Sequence, residues 1–413
     1  PVLAVLCSGK QIVKESSPHS PRIGRLIVVA IAMRLVVDTA VRLFYPFLPE
    51  ISRGLGITLS QGGLLLALRS AMVFPSPLFG AWSDRHGPRG LLTAALLTQA
   101  VGLWWLSTAQ GLASAIPPII LLGLASTAFI PNLQATVAAH VPFHRRGRVV
   151  GIIEFSWAIT GLVILPLVGI TMVQAGWQAP LRILAGLSLA VAPLPSLLPR
   201  GHRPAATVGR SFRQLAGAVW QSPSARAAIL VNGLIFVAAE SFFVTYGAWL
   251  EQSFGLAPNQ IGRVAALLGL AELLASGGSS LFIDRLGKRR GVGLGLAAMT
   301  LTLALLPLLE RSQALAVAGM AAFTLAFEWS IVSHISLLSE QAPLARGTVL
   351  SLAVVAGGIA RTVSDYLAVV LFEQGGMLAT VLFGVAGAAL ALFVLRRWVQ
   401  ERAAEPGEVA AVS

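Results

Sequence analysis

Long apolar runs, separated by short polar, basic or Gly/Pro-rich segments, dominate the pattern of this chain. Each run holds roughly 20 residues, enough for a helix to cross a hydrocarbon core about 30 Å thick. The runs predict membrane helices over 24–49, 59–82, 90–108, 115–139, 148–173, 181–199, 226–250, 260–282, 291–309, 314–338, 347–372 and 377–395. The fold class is therefore an all-α membrane protein with twelve transmembrane helices.

The pattern repeats. Gly80-Ala-Trp-Ser-Asp84-Arg85-His-Gly87-Pro-Arg89 closes one apolar run, and Asp284-Arg285-Leu-Gly287-Lys288 closes another about 200 residues later. Tyr45 through Gly54-Leu55 matches Tyr246 through Gly255-Leu256, Gln61 matches Gln260, and Pro142 with Arg146-Gly147 matches Pro343 with Arg346-Gly347. These pairs predict two pseudo-symmetric six-helix bundles, 24–199 and 226–397. Residues 200–225 join them as a basic cytoplasmic linker. Within it Phe212, Leu215, Ala216, Val219 and Trp220 share a helical stripe, as in a helix lying on the membrane surface. Residues 1–23, expected to be disordered, and 398–413 form cytoplasmic tails.

Composition agrees with a bilayer: 56% of the 413 residues are hydrophobic and 11% charged, against about 25% charged in soluble domains. The net charge of +13 could suggest nucleic acid, but its distribution points elsewhere. Of the 30 Lys and Arg, only Arg53, Arg182, Arg263 and Arg311 fall in loops on one side, and four more lie inside spans. The rest crowd the other side, which places both termini in the cytoplasm and the basic loops against anionic lipid. No nucleic-acid partner is expected. Cys7 is the only cysteine, so no intrachain disulfide forms. The residues around it make a poor lipoprotein cleavage site, with no basic start and a bulky Leu6 before the cysteine.

Prolines crowd the spans, among them Pro75, Pro77, Pro117, Pro118, Pro131 and Pro166. In a bundle, neighbouring helices satisfy the carbonyls that proline frees, and the kinks shape a cavity.

The repeated turn resembles the loop signature of the major facilitator superfamily, Gly-x-x-x-Asp-Arg-x-Gly-x-Arg, through Gly80, Asp84, Arg85, Gly87 and Arg89. The second copy keeps Asp284, Arg285, Gly287 and Lys288, with Ser280 at the first glycine. The resemblance covers roughly residues 24–397. It is nearest to bacterial twelve-helix proton-coupled efflux permeases, although Leu165 replaces the central glycine of their fifth-helix motif in Gly161-Leu-Val-Ile-Leu165-Pro166. It implies a monomer in the bacterial inner membrane that moves a small molecule by alternating access, with export favoured. It also implies that Asp84 reaches the helix start near Gly347 when the inner gate is closed, and that Asp284 does the same near Gly147, where a carboxylate meets a positive helix end.

Ten ionisable residues other than histidine fall inside spans. Charge at mid-bilayer costs about 2.5–3.5 kcal/mol on insertion scales, so these groups must face protein or water. Arg34, Asp38 and Arg42 share one helix face. Asp38 cannot neutralise both arginines, so one guanidinium is left for a substrate anion or for a glutamate of the other half. Glu240, Glu328 and, less centrally, Glu272 are candidate proton carriers, each with a static ion pair as the alternative. Arg361 and Asp365, spaced i, i+4, are expected to pair, and Arg69 could reach Asp365 as a gate contact; Glu154 reads as a gate or structural residue. Tyr45, Tyr246 and Trp329 are expected to line the substrate site, with Trp157, Asn232 and His334 as further wall candidates.

No metal cluster, nucleophile–base set or phosphate-binding loop is present in the sequence, so neither a cofactor nor an enzyme is expected. The function these residues support is proton-coupled secondary transport of a small organic solute, anionic or zwitterionic. The alternatives are a multidrug proton antiporter and a non-transporting sensor or assembly factor built on the same spans.

Overall fold

A computed structural model describes residues 20–141, 143–199, 217, 219–342 and 345–401. Most of both tails, Cys7 and most of the 200–225 linker lie outside the described residues.

The described chain is helical, with no strand among those residues. The first expected span is two helices, α1 (Ser20–Arg42) and α2 (Phe44–Leu55). Pro46 has no N–H for the carbonyl of Arg42, and the helix breaks there. The second is also divided, into α3 (Leu59–Ala71) and α4 (Ser76–His86), parted where Pro75 and Pro77 remove two more donors. Then follow α5 (Pro88–Leu106), α6 (Gly111–His140), α7 (Phe143–Ile159), a wide π turn over Thr160–Ile164, α8 (Leu165–Ala175) and α9 (Gln178–Val191). The second half holds α10 (Pro223–Phe243), α11 (Tyr246–Phe254), α12 (Pro258–Leu286), α13 (Lys288–Leu305), α14 (Gln313–Leu338) and α15 (Arg346–Trp398). Non-helical Gly375 and Gly376 split the last into two helices. Among the described residues, nine helical stretches are long and apolar enough to cross a membrane. Large apolar side chains such as Leu78 and Val28 stay 70% and 67% exposed, as they would in lipid.

Two elements of the repeated pattern take the same local geometry in both halves of the chain. Gly87 and Gly287 take the same left-handed φ, 84° and 82°, open to glycine at little cost. Gln61 and Gln260 each accept the backbone N–H three residues earlier, at Thr58 (3.1 Å) and Ala257 (2.9 Å). One alignment shifts. Gly255 ends α11 in the left-handed conformation, and its counterpart ending α2 is Gly56, not Gly54. Gly54 is instead covered by the Trp177 ring.

The two halves of the chain meet closely at one end and at mid-depth. Gly247 lies against the Pro46 carbonyl, and Gly169 against that of Pro258. A Cβ on Gly269 would sit 2.7 Å from the Leu162 nitrogen, and one on Gly63 2.8 Å from the Asp365 oxygen. Arg53 ties this end by pairing with both Glu50 and Glu251. Toward the other end the helices diverge. A side chain added at Gly80, Gly151 or Gly347 would meet no atom within 4 Å, and α4 buries none of its residues.

Bilayer helices gain little from apolar burial and associate through close packing of small residues. Gly269→Val should therefore destabilise the protein by about 1–3 kcal/mol through overpacking, seen as a lower melting temperature in detergent. Gly151→Ala should leave the melting temperature unchanged or raise it.

Candidate functional site

A small cavity lies between the halves, walled by Arg42, Tyr45 and Trp157 from the first half and by Glu240, Phe243, Tyr246, Leu268, Glu272, Phe327 and Arg361 from the second. The chain breaks at Arg42–Phe44 and Phe243–Tyr246 set Arg42, Tyr45, Phe243 and Tyr246 on its rim.

One wall is an ion pair joining the halves. Arg42 grips Glu272 with both terminal nitrogens, each at 2.7 Å. Its Nη1 also donates to the Trp157 carbonyl at 2.8 Å, and the guanidinium lies 4.9 Å over the Trp157 ring. Gly161 makes room for it, since a Cβ there would fall 2.9 Å from Nη2. Gly161 belongs to the π turn, which Pro166 favours by withholding a donor from the preceding turn. Such turns are frequent at functional sites.

The opposite wall is a second pair. Arg361 Nε meets Glu240 at 3.0 Å, and the guanidinium lies 4.4 Å over Phe236. The Arg361 side chain is a third exposed while Glu240 is buried. The Tyr45 phenol stands beside the Glu240 carboxylate as a hydrogen-bond donor.

Of the two partners expected for the spare guanidinium, the structure shows a glutamate of the other half. The triad of α1 is consumed within the protein: Arg34 binds Asp38 (2.7 Å) and Glu154 (3.0 Å), Ser156 donates to Asp38 at 2.6 Å, and Arg42 takes Glu272. Arg34 and Asp38 are buried inside the first half and do not line the cavity. Arg361 turns to Glu240 rather than to Asp365, which accepts from Ser70 at 2.5 Å. Arg69 donates to the Val41 carbonyl at 2.9 Å and covers Phe44 and Tyr45 at 5.0 and 5.7 Å; it makes no ion pair with Asp365. Trp329 is a further correction. Its indole donates to the Gly291 carbonyl at 3.1 Å and packs on α13. Phe327, two residues away and so about 200° round the helix, takes the cavity position.

Glu328 has no arginine of its own. Ser276 donates to it at 2.6 Å, and Glu272, Arg42 and Glu154 are within electrostatic reach. Asn232 and His334 serve packing, bonding the Ala353 and Ala228 carbonyls at 2.8 and 2.9 Å. Phe243 and Phe327 escaped the sequence reading because an aromatic residue in an apolar helix carries no signal of the face it takes.

The repeated turns lie at the divergent end. Asp84 and Arg85 are exposed, with no hydrogen bond or ion pair among the described residues, so no contact to the start of α15 forms here. The side chain of Asp284 lies outside the described residues, and Arg285 is exposed. Lys288 pairs with Glu340. The Glu401 carboxylate accepts the backbone N–H groups of Lys288 (2.7 Å) and Arg289 (3.2 Å) at the start of α13. Arg89 bonds the Leu198 carbonyl. Among the described residues no group of acidic, histidine or cysteine side chains could hold a metal.

A helical membrane protein with a charged cavity between two matched halves has the form of a solute transporter. Residues 30–250, more than half the chain, match the family model of the Major Facilitator Superfamily, and the chain belongs to that family. Residues 210–402 match the model described as Sugar (and other) transporter. The chain is 24% identical over 362 residues to the uncharacterized MFS-type transporter YwfA of Bacillus subtilis (strain 168), covering 86% of this chain and 88% of that one. It is 26% identical over 270 residues to the multidrug resistance protein MdtG of Enterobacter lignolyticus (strain SCF1), covering 62% and 63%. Its fold matches a bacterial homolog of the human lysosomal transporter Spinster in an inward-facing, occupied conformation (TM-score 0.74, 13% identity, 93% of this chain and 99% of that one). It also matches a point mutant of the nucleoside transporter NupG (TM-score 0.73, 14% identity, 89% and 99%). The protein is thus an integral membrane secondary transporter of small molecules, not an enzyme.

If the Arg42–Glu272 pair holds the halves together, removing one partner strands a buried charge. Arg42→Ala or Glu272→Ala should each cost about 3–5 kcal/mol, and the double variant Arg42→Met/Glu272→Met should recover most of it. Denaturant unfolding in detergent measures the cycle; additive losses would refute the coupling.

Proposed function

We propose that the protein is a proton-coupled transporter of a small organic solute. In this reading twelve helices form two six-helix bundles, 24–199 and 226–397, that rock about the central cavity with both termini in the cytoplasm of a bacterial cell. The Arg53 end is then the closed outer gate and the Asp84 end the open inner one, so the conformation is inward-facing. The exposed Asp84 fits this state, because its contact with the start of α15 belongs to the closed inner gate. Export is favoured by the multidrug resistance protein among the relatives.

Glu328 carries the proton. The supporting observation is its lack of a cation: Glu272 has Arg42 and Glu240 has Arg361, whereas Glu328 has only the Ser276 hydroxyl. A carboxylate held by a neutral hydroxyl alone can exchange its proton without an ion pair having to break. Glu272 and Glu240 serve this proton by holding the arginines, and reach it only when their own pairs open.

Glu328→Gln should lower pH-gradient-driven flux in proteoliposomes by at least about tenfold while sparing solute exchange without a gradient. The solute for the assay is selected by thermal-shift screening. Gradient dependence that survives the substitution would exclude Glu328 as the proton carrier.

A further inference from the structure

Contact between α3 and the first part of α15 runs from one end of the pair and then stops. Ser70 donates to Asp365, Gly63 lies against the Asp365 carbonyl, and Gly358 lies against Val73. Beyond Val73 the pair parts: α4 buries none of its residues, and neither Gly80 nor Gly347 has an atom near where a Cβ would stand. At the joined end the Glu373 carboxylate, from the second half, accepts the backbone N–H of Ser60, in the first half, at 3.0 Å. Ser60 is the second residue of α3, so this N–H is one of the donors that a helix start leaves without an internal partner. The next donor, that of Gln61, is served by Thr58.

Glu373 stands in the last turn of its own helix, where the helix field disfavours a carboxylate, and it gains instead from the positive start of α3. Three residues on, Gly376 breaks α15 with φ 63°. This register recurs. Asp84 precedes Gly87 (φ 84°) by three residues, and Asp284 precedes Gly287 (φ 82°) by three. At a fourth helix end, the same place before Gly176 (φ 82°) is held by Val173. The crossings behind these ends match. A Cβ on Gly63 would fall 2.8 Å from the Asp365 oxygen, and one on its counterpart Gly262 would fall 2.9 Å from the Leu165 oxygen. Leu165 and Asp365 share their spacing with Val173 and Glu373. Val173 therefore holds the place opposite the start of α12 that Glu373 holds opposite the start of α3.

We propose that Glu373 is the outer member of a two-ended latch on one helix pair. With the outer end closed it caps the start of α3; with the inner end closed Asp84 caps the start of α15, and Glu373 lets go. The two helices run antiparallel, and each carries its acid at its own C-terminal end, beside the other's positive end. In this structure the Glu373 contact is made and Asp84 is exposed. The inference rests on the rocking motion proposed above, and the Asp84 contact is the one the sequence resemblance implies. Glu373 touches no solute; it is a positioning residue that sets the balance between the two conformations. Arg53 ties the same end separately, so the loss of Glu373 loosens the outer end without dismantling it.

The test uses the full chain in lipid nanodiscs, with Cys7→Ser and pairs of spin-labelled cysteines. Labels replacing Thr108 and Arg311 report the outer end, and labels replacing Arg25 and Arg290 the inner end; all four positions are exposed, as is Glu373. Glu373→Gln should raise the ratio of outer-open to outer-closed molecules about two- to fivefold, the range for one carboxylate at an exposed helix start, with the inner distances shortening in step. Asp84→Asn should lower the same ratio. Val173→Glu added to Glu373→Gln should bring the ratio back, by supplying an acid at the start of α12. An unchanged ratio in Glu373→Gln, shifts of the same sign in Glu373→Gln and Asp84→Asn, or a ratio that Val173→Glu fails to restore overturns the latch. Outer and inner distances that vary independently would remove the rocking motion and the latch with it. Coupled distances indifferent to Glu373 would remove the latch and keep the rocking.

Discussion

Charge inside a hydrocarbon layer must find a partner, and most of the architecture at mid-depth follows from that requirement. Each guanidinium of the spans is received by carboxylates, carbonyls or aromatic faces, and each such contact fixes one helix against another. The Arg42–Glu272 fork is the strongest of these ties, because it is bidentate, buried on both sides and joins the two halves. The helix break at Pro46, the widened turn before Pro166 and the absence of a side chain at Gly161 all serve to seat it. These irregularities form one arrangement, in which backbone defects give a large cation the room and the acceptors it needs.

The same requirement explains why only part of the site was legible in the sequence. Ionisable residues in apolar runs announce themselves, and Arg42, Glu240, Glu272 and Arg361 all reach the cavity. Partner choice is set by helix rotation and tilt, which sequence spacing does not carry. Arg361 and Asp365 share a helix face at i, i+4, yet Arg361 goes to α10 and Asp365 to Ser70 on α3. Trp329 and Phe327 are equally apolar neighbours, and only the phase of α14 decides which of them meets the cavity.

Turn chemistry was largely legible, because it is local, although the glycine ending α2 lies two residues beyond the one the repeat suggested. Gly87 and Gly287 share a φ that side chains disfavour, and Gln61 and Gln260 close the same turn in each half. The acidic members of the duplicated end motifs differ in what they meet. Glu50 and Glu251 converge on Arg53 at the joined end, while Asp84 at the separated end stands in solvent. The spacing of these charges is legible in the chain, but their partners are not, because a partner depends on how the helices pack.

The placement of the Arg42–Glu272 fork beside the bare backbone crossing of Gly161 and Gly269 has a mechanical consequence. A bond close to an axis of rotation is barely stretched as two bodies turn, while any attempt to pull them apart strains it fully. If the halves rock as proposed, the fork and the crossing together would act as a hinge pin, permitting tilting in either direction and resisting simultaneous parting at both ends, the mode that would short-circuit an ion gradient through a continuous water column.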